Sequence, residues 1–295
     1  MVKRLLAVVS VVVVIGLAVV LLRSETMGTM EDESARLSRD GWGLVWADEF
    51  EGGAVDPANW VVEHESTYGD GGGQVSCLMD RPENVSVADG RLRLTALREN
   101  EPLECGKGRD ERFPRGRDYS SAHLSTKGLH EWTYARFEIR AELPVQKGVS
   151  KGMWPAFWAR PTEGGTGEID VLEAIGSGPG ESQFDKAHQT IWYDYVGTHK
   201  KQGQEHSFPA GQEPGEGMHT YTVDWSPDRI VWYIDDLPVY ERTEDTTGWL
   251  ASTFDKPFYL RVNLAVGGSW PGDPTAETRF PATYDIDYVR VYQRT

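Results

Sequence analysis

Three carboxylates fall within six residues in the stretch Gly-Glu-Ile-Asp-Val-Leu-Glu, residues 167–173. Paired carboxylates can act as general acid, general base or nucleophile. In a regular strand side chains alternate faces, so Glu168 and Asp170 share one face and Glu173 points to the other. A β-bulge within Val171-Leu172 would add one residue and return Glu173 to the face of the other two. Without such a role, three like charges on one strand face repel one another and cost stability.

The bulged arrangement has a specific chemistry. The two glutamates are then roughly 13 Å apart along the backbone, about four strand steps. Long side chains on a curved sheet bring their carboxyls to about 5–5.5 Å, the spacing of a retaining glycosidase. One carboxylate attacks the anomeric carbon. The other protonates the leaving oxygen and later deprotonates water. The charge of Asp170 disfavours ionisation of its neighbour and so helps to keep the acid protonated near neutral pH.

The rest of the chain supplies elements that can hold such a strand. Gly90–Leu97, Tyr134–Ala141, Arg229–Tyr233, Phe258–Val266 and Tyr284–Tyr292 alternate apolar and polar residues, and no segment after residue 41 has a strong helical period. Many short strands separated by turns predict an all-β, two-sheet sandwich. Eleven tryptophans exceed what a core needs. Trp154, Trp158, Trp192, Tyr193 and Trp270 are expected to place flat rings near the carboxylates, where they suit the apolar faces of sugars.

Composition narrows the class. A net charge of −16 argues against nucleic acid as a partner. Lys3 and Arg4 precede an apolar run from Leu5 to Leu22 that ends without a small-residue cleavage pattern. Residues 1–23 are read as an uncleaved transmembrane anchor with the following chain outside the cytoplasm; a cleaved signal peptide and secretion is the other reading. Residues 24–40 are a polar, acidic linker, and one domain is expected over 41–295. In an exported protein Cys77 and Cys105 are expected to pair as a disulfide, with two free thiols as the alternative. The domain is expected to act as a monomer.

The stretch 167–173 resembles the catalytic signature of glycoside hydrolase family 16 in its bulged form, in the laminarinase-like branch. The resemblance extends over residues 41–295 through Trp46–Phe50, Glu83–Val85, Asp89–Leu92, Lys151–Trp158, Trp225–Asp228, Asn263–Gly272 and Asp287–Tyr292. It implies a concanavalin-like β-jelly roll with a carbohydrate cleft across its concave sheet. It implies Glu168 as nucleophile, Glu173 as acid/base and Asp170 as the residue assisting them. Trp154, Trp158, His188 and Trp270 match cleft residues, and Asn84 with Arg136 or Arg261 is expected to bind sugar hydroxyls. Asn84-Val85-Ser86 also fits a glycosylation sequon.

Some members of that family carry a structural calcium ion, for which the resemblance suggests Glu49, Asp287 and the Gly90 carbonyl. No cofactor is expected for the chemistry itself. The polysaccharide implied is a β-1,3-glucan of the laminarin type, with a β-galactan, a transglycosylase and a sugar-binding protein without catalysis as rivals. The chain departs from the laminarin-cleaving pattern at Gly71–Cys77, Ser121-Ala122 and Pro161–Thr166, segments that the resemblance places around the sugar.

Overall fold

The alternating segments become strands because their apolar side chains find a second sheet to pack against. The computed structural model describes residues 41–67, 73–106, 111–194 and 200–295. The anchor expected at 1–23 and the linker at 24–40 lie outside the described residues. Among the described residues no helix is long and apolar enough to cross a membrane.

The strands in chain order are β1 (Trp42–Asp48), β2 (Val61–Val62), β3 (Ser76–Leu78), β4 (Val85–Ala88), β5 (Arg91–Leu103), β6 (Arg117–Ser125), β7 (Arg136–Glu142) and β8 (Met153–Pro161). There follow β9 (Glu168–Glu173), β10 (Lys186–Asp194), β11 (Lys200–Ser207), β12 (His219–Trp225), β13 (Arg229–Ile234), β14 (Leu237–Thr243), β15 (Phe258–Val266) and β16 (Ala282–Arg294). Two single-turn helices, α1 (Glu244–Thr247) and α2 (Leu250–Thr253), were not expected from the sequence. Four residues are too few to display a helical period.

The described chain divides into a small unit, residues 41–45 with 292–295, and a large unit, residues 46–291. In the small unit the Thr295 amide donates to the Gly41 carbonyl at 3.2 Å, and the Arg294 guanidinium lies 4.2 Å from the Trp42 ring centroid.

The large unit is an all-β jelly-roll sandwich. One run of strands is ordered β11-β10-β9-β8-β15-β6 and the other β5-β16-β7-β12-β13-β14, joined where β5 pairs with β6. Phe157, Ile169, Leu172, Ile191, Leu260, Val262 and Leu264 from the first run share one buried core with Leu92, Phe137, Ile139, Val223, Trp232 and Ile286 from the second. Each large apolar side chain so buried contributes about 1.5–3 kcal/mol. Alternate residues of β8, β9 and β15 therefore turn away from this core, and these carry the polar and aromatic groups considered below.

Cys77 of β3 and Cys105 are joined in a disulfide, with Cα atoms 5.7 Å apart. The bridge closes a loop over the sequence separation of 28 residues. Strand β5 runs to Leu103, beyond the stretch expected from alternation, and carries the chain to within two residues of Cys105.

Candidate active site

Strand β9 begins at a glycine that the geometry requires. Gly167 has φ 124°, and a Cβ there would lie 2.9 Å from Cζ of Phe258. From Glu168 to Asp170 the strand is regular against both neighbours. Asp170 lies opposite Trp158 of β8 and Thr190 of β10, and Ile169 opposite Ala159 and Ile191. Register then shifts by one residue on both sides, so that Glu173 lies opposite Ala156 and His188. The extra residue lies within Val171-Leu172, where both side chains are buried. This is the bulge that the three acids required, and it places Glu168, Asp170 and Glu173 on one face.

Indole N–H groups hold this face. Trp154 donates to Glu173 Oε1 at 3.1 Å, and Trp192 donates to Asp170 Oδ2 at 3.1 Å. Trp232, reaching from β13 of the facing sheet, donates to the backbone carbonyl of Asp170 at 2.9 Å. The strand is thus anchored through the core at the residue that precedes the bulge. Arg160 donates to Glu168 Oε2 at 3.0 Å. Asp170 also hydrogen-bonds Glu173.

The electrostatics follow from crowding and burial. Loss of solvent, then the charge of Glu168, raises Glu173 to about 7; the Trp154 N–H opposes part of that rise. Asp170 is pushed well above the carboxylate range by burial first, then by Glu168 and Glu173. The hydrogen bond between Asp170 and Glu173 works the other way on Glu173, lowering its proton affinity. Glu173 can hold a proton near neutrality, in one cluster with Asp170 and with a carboxylate, Glu168, that is paired to an arginine. That arrangement can deliver a proton to one atom while a carboxylate attacks another.

The aromatic residues divide. Trp270 is 40% exposed, and its ring stands edge-on to Trp154 at 5.4 Å and to His188 at 4.9 Å. His188 is held neutral mainly by burial, and its Nε2 is buried without a hydrogen-bond partner in the structure. This group lies at the Glu173 end of the face. Trp158 is only 6% exposed: its N–H donates to Asn263 at 2.7 Å, and the Arg261 guanidinium sits 3.8 Å from its ring centroid. One face of Trp158, which lies opposite Asp170, is thus covered by Arg261. Tyr193 stacks on Trp249 at 4.0 Å, and Lys201 lies 4.8 Å from the Trp192 ring centroid.

Three expectations are corrected. Asn84 does not reach the acidic face. It is fully buried, donating at 2.9 Å to both the Thr95 carbonyl and Ser120 Oγ, while its Oδ1 accepts from Arg81 at 2.6 Å. Its amide is committed to the β4–β6 region and closed to glycosylation in the folded chain. Arg136 lies on β7 in the other strand run, with carboxylates of Glu138 and Asp224 at 3.6 and 3.5 Å. Of the two arginines considered for sugar binding, only Arg261 lies beside the acids. Glu49, Asp287 and Gly90 do not fit a calcium site as arranged. Arg290 donates to both oxygens of Glu49 at 2.8 and 2.9 Å, and Arg140 pairs with Asp287. Among the described residues no cluster of three or more His, Cys, Asp or Glu side chains is placed to hold a metal.

Sequence reasoning missed Arg160 and Trp232. Arg160 was within reach, since it lies two residues beyond Trp158 and shares its face. Trp232 was not, because its partner comes from across the core, 62 residues away in sequence.

Comparison with known proteins places this geometry. Over 271 residues the chain is 36% identical to a β-glucanase of Rhodothermus marinus, covering 85% of each chain. It is 33% identical to glucan endo-1,3-beta-glucosidase A1 of Niallia circulans, matching 86% of this chain and 38% of that longer one. The laminarinase catalytic domain of Thermotoga maritima MSB8 superposes with a TM-score of 0.72 at 32% identity, covering 87% of this chain and 100% of the other. The family model of glycosyl hydrolases family 16 matches residues 73–290, and with the bulged strand at its centre the chain belongs to that family.

Proposed function

We propose that this protein is a retaining endo-glycosidase that cleaves β-1,3-glucan of the laminarin type by double displacement. The observation that carries the mechanism is the bulge, which brings Glu168, Asp170 and Glu173 to one face with Glu173 raised to about 7. Support for the substrate comes from the relatives, named as a β-glucanase, an endo-1,3-beta-glucosidase and a laminarinase.

In the first step the Glu168 carboxylate attacks the anomeric carbon. The glycosidic C–O bond breaks, and Glu173 gives its proton to the departing oxygen. In the second step Glu173, now a carboxylate, takes a proton from water. The water oxygen bonds to the anomeric carbon and Glu168 leaves. Arg160 holds the Glu168 carboxylate in place. Asp170, fixed by Trp192 at its side chain and by Trp232 at its carbonyl, hydrogen-bonds Glu173 and favours its charged form between the steps.

The cellular setting is part of this proposal. Residues 1–23 anchor the enzyme in the membrane, residues 24–40 tether it, and the folded part works outside the cytoplasm. The apolar run of the sequence supports the anchor, and a disulfide suits an oxidising compartment.

The test is reducing-end release by the full chain from laminarin, mixed-linkage glucan, β-1,3-galactan and agarose, with Glu168→Gln as the blank. Release from laminarin that Glu168→Gln abolishes is the expected result. Release from a galactan alone would keep the mechanism and replace the polymer. Formation of longer oligosaccharides instead of reducing ends would make the enzyme a transglycosylase.

A further inference from the structure

Beside Glu168 the face opens into a cavity of about 390 Å³, lined by Lys127, Arg160, Thr162, Glu163, Tyr259 and Arg261. That volume falls within the roughly 300–1,000 Å³ typical of small-ligand sites. Three of the lining side chains are cationic and one is acidic, in a chain whose net charge is −16. The local sign is thus opposite to that of the whole molecule.

The cations are positioned groups. Arg261 is 3% exposed, donates through Nε to His123 Nε2 at 3.0 Å and lies 3.8 Å from the Trp158 ring centroid. His123 is fully buried and held neutral by burial first and by Arg261 second, so it can accept that bond. Arg160 lies opposite Tyr259 across β8 and β15 and also donates to Glu168. It therefore belongs to the reacting site and to the cavity wall at once. The Lys127 ammonium lies 5.8 Å from the Tyr259 ring centroid at the outer rim. Thr162 Oγ1 is buried in the cavity wall and makes no hydrogen bond in the structure. A neutral glucan supplies no charge for these groups, whereas guanidinium and ammonium groups recognise sulfate and carboxylate through charge-assisted hydrogen bonds.

We infer that this cavity is a subsite for a sugar bearing an anionic substituent, a sulfate ester or a carboxylate, next to the sugar attacked by Glu168. The inference rests on the glycosidase reading for its place in the reaction, and it narrows the substrate to a β-glycan carrying negative charge.

Two measurements on the full chain separate the subsite from the glucanase reading. The first does not depend on turnover: tryptophan fluorescence titrations with glucose, glucuronate and glucose 6-sulfate. At least one charged sugar is expected to bind about tenfold or more tightly than glucose, as one charge-assisted contact would give. That preference is expected to fall in Lys127→Gln, a change at the exposed rim, and with added salt. Preference for glucuronate alone or for the sulfate alone identifies the substituent. Equal binding of all three sugars, or a preference untouched by Lys127→Gln, overturns the subsite. The second measurement is the ratio of kcat/KM for lightly sulfated or carboxylated laminarin to that for neutral laminarin, expected above one and reduced by Lys127→Gln. Turnover of neutral laminarin with a ratio at or below one rejects the inference and leaves the glucanase standing. No turnover of any glucan, with the charged-sugar preference intact, does the reverse.

Discussion

The acids Asp170 and Glu173 are held differently from the acids of the other strand run. Away from the site several are met by an arginine: Glu138 and Asp224 by Arg136, Asp287 by Arg140, Asp285 by Arg91, and Glu49 by Arg290. On β9, Asp170 and Glu173 are met instead by the neutral N–H groups of Trp192 and Trp154. An arginine fixes a carboxylate and keeps it ionised. An indole fixes it in place and leaves its charge to be set by burial and neighbours. The difference separates carboxylates fixed by an arginine, Glu168 with Arg160 among them, from Asp170 and Glu173, whose charge is left to burial and neighbours.

The comparison breaks most visibly on the side of the arginine pairs. Arg136→Met leaves the buried Glu138 and the half-buried Asp224 without this cation and is expected to destabilise the fold by about 3 kcal/mol. Chemical denaturation measures the loss, and kcat of the folded fraction should stay near wild type. A fall in kcat with unchanged stability would mean that the two runs are not separate in function.

Glu173→Gln tests the other side through pH. Because the folded value lies above the unfolded value of 4.5, Glu173 contributes most favourably below pH 4.5, and that contribution fades as pH rises through about 7. The variant removes a forced charge, so it is expected to be more stable than wild type at pH 8 by roughly 1–3 kcal/mol while losing hydrolysis. Thermal melts at pH 5 and pH 8 give the comparison; a variant no more stable at pH 8 than wild type would contradict the raised proton affinity.

Trp232→Phe keeps the aromatic bulk and removes one hydrogen bond to the Asp170 carbonyl. A loss of about 1–2 kcal/mol in stability is expected, with kcat falling more than KM changes, because the bulge and not sugar binding is loosened. Smallest of the four, Trp154→Phe removes the N–H that opposes the rise at Glu173. The alkaline limb of kcat/KM should move upward by under about one pH unit, since the acid then keeps its proton longer. A downward shift would show that the indole favours the protonated form.

What could be read in advance follows the range of each interaction. The bulge was legible because three acids in six residues conflict with strand alternation, and only an added residue resolves the conflict. Strand β15 was legible because nine residues alternate without interruption, and its bounds Phe258–Val266 agree with the expectation. The calcium reading did not hold because the arginines that neutralise Glu49 and Asp287 meet them only after folding, although Arg290 stands three residues from Asp287 in sequence. Asn84 shows the same limit in another form. Nothing in Asn-Val-Ser says whether its amide meets solvent or, as here, Ser120 and Thr95. The cavity beside Glu168 was hidden for a related reason: Lys127, Arg160 and Arg261 come from three separate segments, and only strand pairing makes them neighbours.

The bulge also bears on how the strand tolerates changes of length. Removing one residue from a regular strand turns every later side chain to the opposite face. In β15 such a deletion would carry Arg261 and Asn263 into the core and Val262 and Leu264 out of it. In β9 the same deletion at Val171 would leave all three acids on their common face, because the lost residue is the one without a counterpart on either neighbouring strand. The segment that carries the chemistry is thus a place where a codon can be lost without inverting the surface.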